Sequence, residues 1–421
     1  MSFSACSAFP RETIMTRRIL HYDIDAFFTQ CAAVEWPDTA GKAELLVVGG
    51  SAESRGVVTS ASYAARKYGI RAGMATSTAK RLCPQALFVP VPRGTVGEKS
   101  RAVVAVIRSR APVVVPTGVD EGYVDLTGTE KLPGYEDAEA FARRLREAVR
   151  DETGMTLSIA VAPNKLVAKV AVDYAKPHKG GDGVIVVVPG EEAAFMERLA
   201  LGDLPGIGPK FAEKLAHIGL RTVRDVLPLD LQALTTILGA DTARWLHDRV
   251  RGKDDSPVEE RDEVKSTGRE ETFPRDLHDD AELERELLAL CERVGADLRG
   301  EQFRARTVTV KIKDGDFTRR QASLTLPRAI ESDRAIWEVA RPLLHRLRRA
   351  RRVGARLLGV TLSQLEHASA PQQLGLFDET VVAPDDVVET EKDRRVSQTV
   401  DAIRAKFGRD VIKRAGRLDE S

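Results

Sequence analysis

Three carboxylates in two short apolar runs could do chemistry together. Asp23 lies in Ile19-Leu20-His21-Tyr22-Asp23-Ile24-Asp25-Ala26-Phe27-Phe28, and Asp120 and Glu121 lie in Gly118-Val119-Asp120-Glu121-Gly122-Tyr123-Val124-Asp125-Leu126. The β-branched and aromatic residues around these acids make both runs read as buried strands. A carboxylate buried without a partner is costly. Bound divalent metal is the simplest compensation for three acids from adjacent strands, and hard oxygen ligands suit Mg²⁺. Two such ions about 4 Å apart would activate an attacking oxygen and stabilise a leaving one in phosphoryl transfer.

The chain that must position these acids has 421 residues, enough for several domains, and its 43 % hydrophobic content can bury ordinary cores. No apolar run reaches the ~20 residues of a membrane span. Residues 1–16 lack the charged-then-apolar order of a signal peptide and read as a disordered leader, with Met15 as an alternative start. Cys6, Cys31, Cys83 and Cys291 form no C-x-x-C pair and read as free thiols of a reducing cytoplasm. The expected form is a cytoplasmic monomer. Net charge is only +1, yet residues 299–356 hold sixteen Lys and Arg against six Asp and Glu. A basic segment beside neutral ones is an electrostatic footprint for nucleic acid.

Residues 17–28 read as a strand ending at the Phe pair. Residues 29–91 form a small mixed region, with strands at 43–49 and 57–59 and a helix starting at Tyr63. Helix, strand and helix alternate over 95–188, short helices fill 191–252, and the polar run 253–262 with Pro257 reads as a linker. A compact unit follows, with helices at 281–298 and 336–349, strands at 306–312, 321–326 and 357–365, and a turn at Asp314-Gly315. Beyond Glu366 the chain is polar until an amphipathic stretch around 400–407. The last forty or so residues read either as a disordered tail or as a partner-binding helix.

The two acidic runs resemble the catalytic motifs of Y-family DNA polymerases, the translesion enzymes, and most closely those of the bacterial DNA polymerase IV type. The resemblance covers about residues 17–377, with roughly the one-hundred-residue motif spacing of that family. It implies an α+β multidomain fold of right-hand polymerase architecture. The palm would be 17–28 and 92–188, small fingers 29–91, a helical helix-hairpin-helix thumb 189–252, a linker 253–263, a mixed α/β little finger 264–367, and a tail 368–421.

The resemblance makes Asp23, Asp120 and Glu121 ligands of two Mg²⁺, with the Ile24 carbonyl as a further oxygen and Mn²⁺ an alternative ion. Asp25 falls on the same strand face as Asp23 and reads as a structural hydrogen-bonding acid. Phe28 aligns with the steric gate, whose flat ring would clash with a 2′-hydroxyl, so the substrate is expected to be dNTP. Phe27 reads as a backbone-positioning or core neighbour of the nucleotide. Tyr63 and Arg66 lie three apart on one helix face, where phenol and guanidinium can both hold phosphate oxygens. This run resembles the triphosphate-binding fingers segment, and Lys176 in Asp173-Tyr174-Ala175-Lys176-Pro177 matches the palm lysine for the same phosphates. Asn164 and Lys165 match a family run too, with a structural role equally open.

Leu204-Pro205-Gly206-Ile207-Gly208-Pro209-Lys210 before a helical run is a helix-hairpin-helix signature. Its glycines let backbone approach closely, and N–H groups at the following helix start bind phosphate. Lys265 resembles the segment opening the little finger. Arg304, Arg306, Lys311, Arg319 and Arg320 on or beside strands suit sequence-independent binding of primer-template DNA that weakens with salt. Gln373-Leu374-Gly375-Leu376-Phe377, apolar in a polar tail, resembles the sliding-clamp-binding pentapeptide. Leu374, Leu376 and Phe377 would fill a groove and Gln373 would hydrogen bond, giving processivity through effective concentration.

The match has departures. Gly118 and Gly122 stand where the family usually has Ser and Ala, and Thr29-Gln30-Cys31-Ala32 replaces its small-Ser-Val-Glu run. These put rate, fidelity and the template-base pocket in question, but remove no ligand. The sequence therefore reads as a template-directed DNA polymerase of low fidelity acting in translesion synthesis. The alternative is a non-catalytic polymerase-like adaptor for DNA and clamp, and a metal-dependent nuclease stands behind both, although it would need no sugar gate.

Overall fold

The computed structural model describes residues 17–51, 55–135, 137–260, 264–369, 389–408 and 411–412. The chain divides into two compact units, residues 1–260 and 261–421. In the first, β1 (Ile19–Ile24) and α1 (Phe27–Glu35) precede β2 (Leu46–Gly49), β3 (Val58–Ala61), α2 (Tyr63–Arg66), α3 (Thr76–Leu82) and β4 (Leu87–Val89). There follow α4 (Arg93–Arg108), β5 (Val113–Pro116), β6 (Glu121–Asp125), α5 (Ala138–Thr153), β7 (Leu157–Ala162), α6 (Lys165–Ala175) and β8 (Val184–Val186). Short helices close the unit: α7 (Glu192–Met196), α8 (Pro209–His217), α9 (Val223–Val226), α10 (Leu231–Leu238) and α11 (Ala240–Val250).

β1 is the centre of a five-stranded sheet ordered β5-β6-β1-β7-β8, paired antiparallel on both sides. Its period-two alternation decides which side chain meets which layer. Leu20, Tyr22 and Ile24 enter a core with Val103 and Ile107 of α4 and Leu145 and Val149 of α5. Ile19, His21 and Asp23 therefore face the opposite side, where α6 packs through Leu166, Val167 and Val170. That second core continues into the short helices through Leu215, Val226, Leu234 and Leu246. A separate three-stranded sheet, β3-β2-β4, carries α2 and α3.

The second unit contains β9 (Ser266–Leu277), α12 (Asp280–Gly300), β10 (Phe303–Asp314), β11 (Arg319–Ile330), α13 (Asp333–Ala350), β12 (Ala355–His367) and α14 (Glu391–Phe407). Its sheet is antiparallel in the order β11-β10-β12-β9. Val308, Val310, Ile312, Leu358 and Val360 bury one face against Leu287, Leu290 and Val294 of α12 and Ile336, Val339 and Leu343 of α13.

Several expectations are corrected. The strand does not reach the Phe pair. Ala26 takes φ 43°, turning the chain left-handed, and Phe27 opens a helix. The second acidic run is not a strand throughout: Val119 is exposed and Asp120 precedes β6. Strand β9 has no counterpart in the sequence reading, because its charged, mostly exposed residues show little apolar alternation; it is an edge strand, where charge blunts unwanted pairing. The amphipathic stretch near the end is part of a 17-residue helix, α14.

One departure from the family pattern has a steric cause. Tyr22 and Gly122 are direct cross-strand partners. A Cβ on Gly122 would stand 2.5 Å from the Tyr22 hydroxyl and 2.7 Å from the Val115 carbonyl oxygen. Tyr22 is almost wholly buried, so its ring has nowhere else to go. Gly122→Ala should destabilise the first unit by about 1–3 kcal/mol, the usual scale of overpacking. Tyr22→Val in the same chain should recover part of that loss. Urea unfolding of the four variants measures the coupling, and strictly additive effects would disprove the steric link.

Candidate active site

A cleft of about 1120 Å³ in the first unit is lined by Asp23, Ile24, Phe27, Phe28, Tyr63, Arg66, Asp120 and Lys176. These residues come from four distant stretches of chain. β1 contributes Asp23, and the Ile24 N–H donates to the Asp120 carbonyl at 2.8 Å, tying the loop before β6 to the end of β1. The β1–β6 register sets Asp23 directly opposite Glu121. The left-handed turn at Ala26 then starts α1, which brings Phe28 to the cleft while Phe27 is buried. The Phe27 and Phe28 rings meet edge to face, 5.6 Å apart.

Helix α6 supplies cations to the acids. Asn164 caps it, accepting from the Val167 N–H at 2.9 Å, and donates to the Gly252 carbonyl at 2.7 Å. Asn164 is thus a structural residue, and Lys165, bonded to the Pro257 carbonyl, points the same way. Pro177 ends the helix, because the residue before a proline is pushed to extended geometry, and Lys176 has ψ 136°. Lys169, Asp173 and Lys176 recur at helical spacing on the face toward β1. Lys176 Nζ lies 3.0 Å from Asp23 Oδ2 and 3.0 Å from Asp173 Oδ1, and Lys169 pairs with Glu121. Glu121 is not part of the cleft wall.

Burial dominates the electrostatics. It pushes the Asp23 carboxyl up to about 6, with the attraction of Lys176 and Lys169 only partly offsetting it. Asp120 is raised by burial and then by Glu121. Burial works to lower the Lys176 amine, but Asp23 and Asp173 overcome it and raise it. His21 is fully buried on the same strand face. Burial, then Lys169 and Lys176, holds its imidazole well below the usual range, so its 3.9 Å approach to Glu121 is that of a neutral ring. Among the described residues no three His, Cys, Asp or Glu side chains converge as a ready metal-binding group. Asp23 and Glu121 are each held in an ion pair with a lysine. The donor set itself, hard carboxylate oxygens that burial makes costly to ionise, fits a hard divalent cation.

The fingers-like segment joins through hydrogen bonds and stacking. Ser62 caps α2, accepting from the Ala65 N–H. The Tyr63 hydroxyl donates to Asp25 Oδ1 at 3.2 Å, and Ser158 Oγ donates to the same oxygen at 2.8 Å, giving Asp25 the hydrogen bonds expected of a structural acid. The Arg66 guanidinium lies over the Tyr63 ring, 5.0 Å from its centre, and its Nε donates to the Ala61 carbonyl. His178 stacks on the Tyr63 ring, with ring centres 4.4 Å apart. Sequence reasoning missed Lys67, Arg71, His178 and Lys179, all on the cleft wall, and Lys169 beneath it. The spacing of seven between Lys169 and Lys176 was a usable signal. The altered run after Phe28 points inward instead: Gln30 bonds the Thr156 backbone and the Asp25 carbonyl, and Thr29 and Cys31 are buried.

Elsewhere, the glycine turn before α8 has the expected form. Gly206 has φ 97°, and a Cβ there would meet the Trp245 ring at 2.7 Å. Gly208 caps α8, Pro209 is its first residue and Lys210 is exposed. In the second unit the basic residues separate. Lys311 and Arg319 lie on the sheet face away from the helices, with Lys313 beside them and the hydroxyl pairs Thr307–Thr325 and Thr309–Ser323. Arg304 is ion-paired to Glu331, and Arg320 is locked between the buried Asp314 and the Leu347 carbonyl, so these two serve their own domain. Arg306 is intermediate, donating to the Leu326 carbonyl while partly exposed. Lys265 is exposed just before β9. Residues 373–377 lie outside the described residues.

A central antiparallel-and-parallel sheet with buried acids, a phosphate-suited cationic wall and a helix-hairpin-helix module define a nucleotide-polymerising class of protein. The comparisons agree. The chain matches the impB/mucB/samB family over residues 22–173 and that family's C-terminal domain over 264–376, and the DNA polymerase-iota thumb domain over 202–254. It is 36 % identical over 397 residues to DNA polymerase IV of Desulfatibacillum aliphaticivorans, covering 94 % of this chain and 96 % of that protein. It is 38 % identical over 357 residues to DNA polymerase IV of Methanoculleus marisnigri, covering 84 % and 96 %. Among solved structures, a Y-family DNA polymerase chimera of Dbh and Dpo4 segments matches with a TM-score of 0.71 at 28 % identity, covering 83 % of this chain and 99 % of the other. An insertion ternary complex of Dbh DNA polymerase matches with a TM-score of 0.57 at 28 % identity, covering 82 % and 98 %. The chain belongs to the Y-family of translesion DNA polymerases, in the DNA polymerase IV group.

The raised Asp23 carboxyl has a measurable sign. Folding lifts it from about 3.9 in an unfolded chain to about 6, so between those values the folded state holds the extra proton. Stability of metal-free protein then falls as pH rises through that window. Asp23→Asn should therefore raise the melting temperature in EDTA at pH 7.5 by several degrees more than at pH 4.5. Equal shifts at both pH values would contradict the burial argument.

Proposed function

We propose that this polymerase joins dNMP to a primer 3′-hydroxyl by two-metal nucleotidyl transfer in the cleft around Asp23, under the direction of primer-template DNA. The observation that carries the reading is that one cleft joins Asp23 and Asp120 to Phe28 and to the Tyr63, Arg66 and Lys176 group. Asp23, Asp120 and Glu121, with the Ile24 carbonyl, would hold two Mg²⁺, Mn²⁺ being the alternative. When bound, such ions lower the pKa of an attacking hydroxyl and neutralise a leaving pyrophosphate.

The residues of the chain do the positioning. Lys176, on the same cleft wall as Arg66 and Tyr63, would hold the triphosphate with that guanidinium and phenol. Phe28, on the cleft wall, would underlie the sugar with its ring, and the buried Phe27 packs against it edge to face. Residues 17–28 and 92–188 act as palm, 29–91 as fingers, 189–252 as thumb, 253–263 as linker and 264–367 as little finger, followed by the tail 368–421. Backbone at Gly206 and Gly208, with Lys210, would hold DNA phosphates. On the little finger, Lys311 and Arg319 on the open sheet face are the stronger candidates, with Lys265 and Arg306, while Arg304 and Arg320 support the fold. Gln373, Leu374, Leu376 and Phe377 would bind the sliding clamp. We place the protein in the cytoplasm as a monomer. No helix among the described residues is long and apolar enough to cross a membrane.

Primer extension with Mg²⁺ and dNTPs should be abolished by Asp120→Ala; unchanged extension would sink the metal-ligand assignment. Phe28→Ala should raise ribonucleotide incorporation at least tenfold while keeping dNTP extension, and an unchanged ratio would return Phe28 to core packing. For DNA binding, Lys311→Ala with Arg319→Ala should weaken affinity and lower the salt slope by one to two, since each phosphate contact contributes about 0.9. Arg320→Ala should lower thermal stability instead, which scanning calorimetry separates from binding.

A further inference from the structure

At the tip of a hairpin, exposed residues are ordinarily polar and left-handed ones are glycine or asparagine. The β10–β11 turn breaks both rules at one residue. Phe317 is 57 % exposed and takes φ 69°, a conformation that a bulky side chain rarely adopts. The turn around it is firmly held. The Asp314 N–H donates to the Thr318 carbonyl and the Phe317 N–H to the Asp314 carbonyl, each at 2.9 Å, and the Gly315 N–H donates to the Gly354 carbonyl at 3.0 Å. Arg320 and Arg351 both donate to the buried Asp314 at 2.8 Å, and Arg351 also donates to Asp316 at 2.7 Å. A third acid, Asp276, lies against Gly315 and is engaged as well. Strain that its surroundings hold in place in this way gathers at sites that grip ligands.

The acids of the turn are spent, but the cations nearest the ring are not. Lys313 Nζ lies 4.5 Å and the Arg356 guanidinium 4.6 Å from the centre of the Phe317 ring. Among the described residues neither side chain takes part in an ion pair, and neither does the exposed Arg319 at the start of β11. Arg356 reaches the ring through a bulge. Strand alternation would send it into the core with Leu358 and Val360. Lys313 pairs with Leu357 and Asp314 with Ala355, however, so Arg356 is the extra residue between them, and a bulge re-aims its side chain. Lys313 comes from the open sheet face, which also carries Lys311 and the Thr309–Ser323 hydroxyl pair.

We propose that Phe317, with Lys313 and Arg356, is a stacking platform for an unpaired base of single-stranded DNA; this deepens, and rests on, the reading that the protein works on primer-template DNA. The ring offers a flat apolar face to the base, and the two cations answer the phosphates that flank it. Duplex backbone would need only the cations and would gain nothing from an exposed aromatic ring in a strained turn. Every base has a π-face, so the platform takes any sequence. A base settling on the ring turns a cation aside toward its own phosphate, a short movement for a long side chain that no acid holds.

The test uses the full chain with a short single-stranded thymine oligonucleotide, an abasic strand of the same length and a blunt hairpin duplex, each read by fluorescence anisotropy. Phe317→Gly should weaken binding of the thymine strand about tenfold, the scale of one lost base–aromatic stack. It should leave duplex and abasic-strand binding unchanged. Because glycine suits a positive φ, the same variant should keep or raise the melting temperature, which separates lost stacking from lost folding. Phe317→Trp should restore thymine-strand binding. Lys313→Gln with Arg356→Gln should lower the salt slope for the thymine strand by about 1.4, at about 0.7 per phosphate. Undiminished thymine-strand binding by Phe317→Gly, or an equal loss on strand and duplex, overturns the platform. Wild-type protein that binds neither strand nor duplex would instead strike the DNA reading beneath it, and the platform with it.

Discussion

Charge compensation between one strand pair and one helix is the constraint on which the first unit of this molecule depends. β1 and β6 bring Asp23, Asp120 and Glu121 to one edge of a buried sheet, where ionised carboxylates are costly. Helix α6 answers with Lys169 and Lys176 at a spacing of seven, and Asn164 and Pro177 fix where that helix starts and stops. The buried His21 stays neutral because the same lysines oppose its charging. The ion pairs compensate these acids in part, yet at Asp23 burial outweighs them and leaves its carboxyl well above its ordinary range.

The second unit solves a similar problem with arginine. Its basic composition suggested a broad surface for nucleic acid, but much of that charge is internal. Arg299, Arg304, Arg320, Arg348 and Arg351 all hold acids or carbonyls of their own domain, several of them buried. Arginine suits this work because its planar fork satisfies two acceptors at once. What is left on the open sheet face is narrower: threonines, serines and small residues with Lys313, Arg319 and Lys311, the last itself paired to Glu270 at 3.2 Å.

The order of elements and the residues of the candidate cleft were readable because both are local or patterned. Alternation around Asp23, the Phe pair after it, the Tyr63–Arg66 spacing and the glycine turn at Gly206 all survive as structure. The failures have physical causes. Strand β9 was invisible because an edge strand of charged residues carries no apolar period. The break at Ala26 was invisible because nothing in an alanine announces a left-handed turn. Arg304 and Arg320 could not be told from Lys311 and Arg319 until strand register showed which face each occupies. The docking of α14 escaped because its partners, Glu292, Arg299 and Asp333, lie about a hundred or fewer residues back in the chain and belong to the core of another helix pair.

Tyr22 and Gly122 also constrain history. With alanine at 122, as the family pattern has it, a tyrosine at 22 would collide with the opposite strand, whereas glycine at 122 tolerates a smaller residue at 22 at modest cost. An ancestral chain could therefore take the glycine first and the tyrosine second, but hardly the reverse. The pair therefore acts as a ratchet beside the cleft: with the ring in place an alanine at 122 has no room, and even without the ring its methyl would have to displace the Val115 carbonyl.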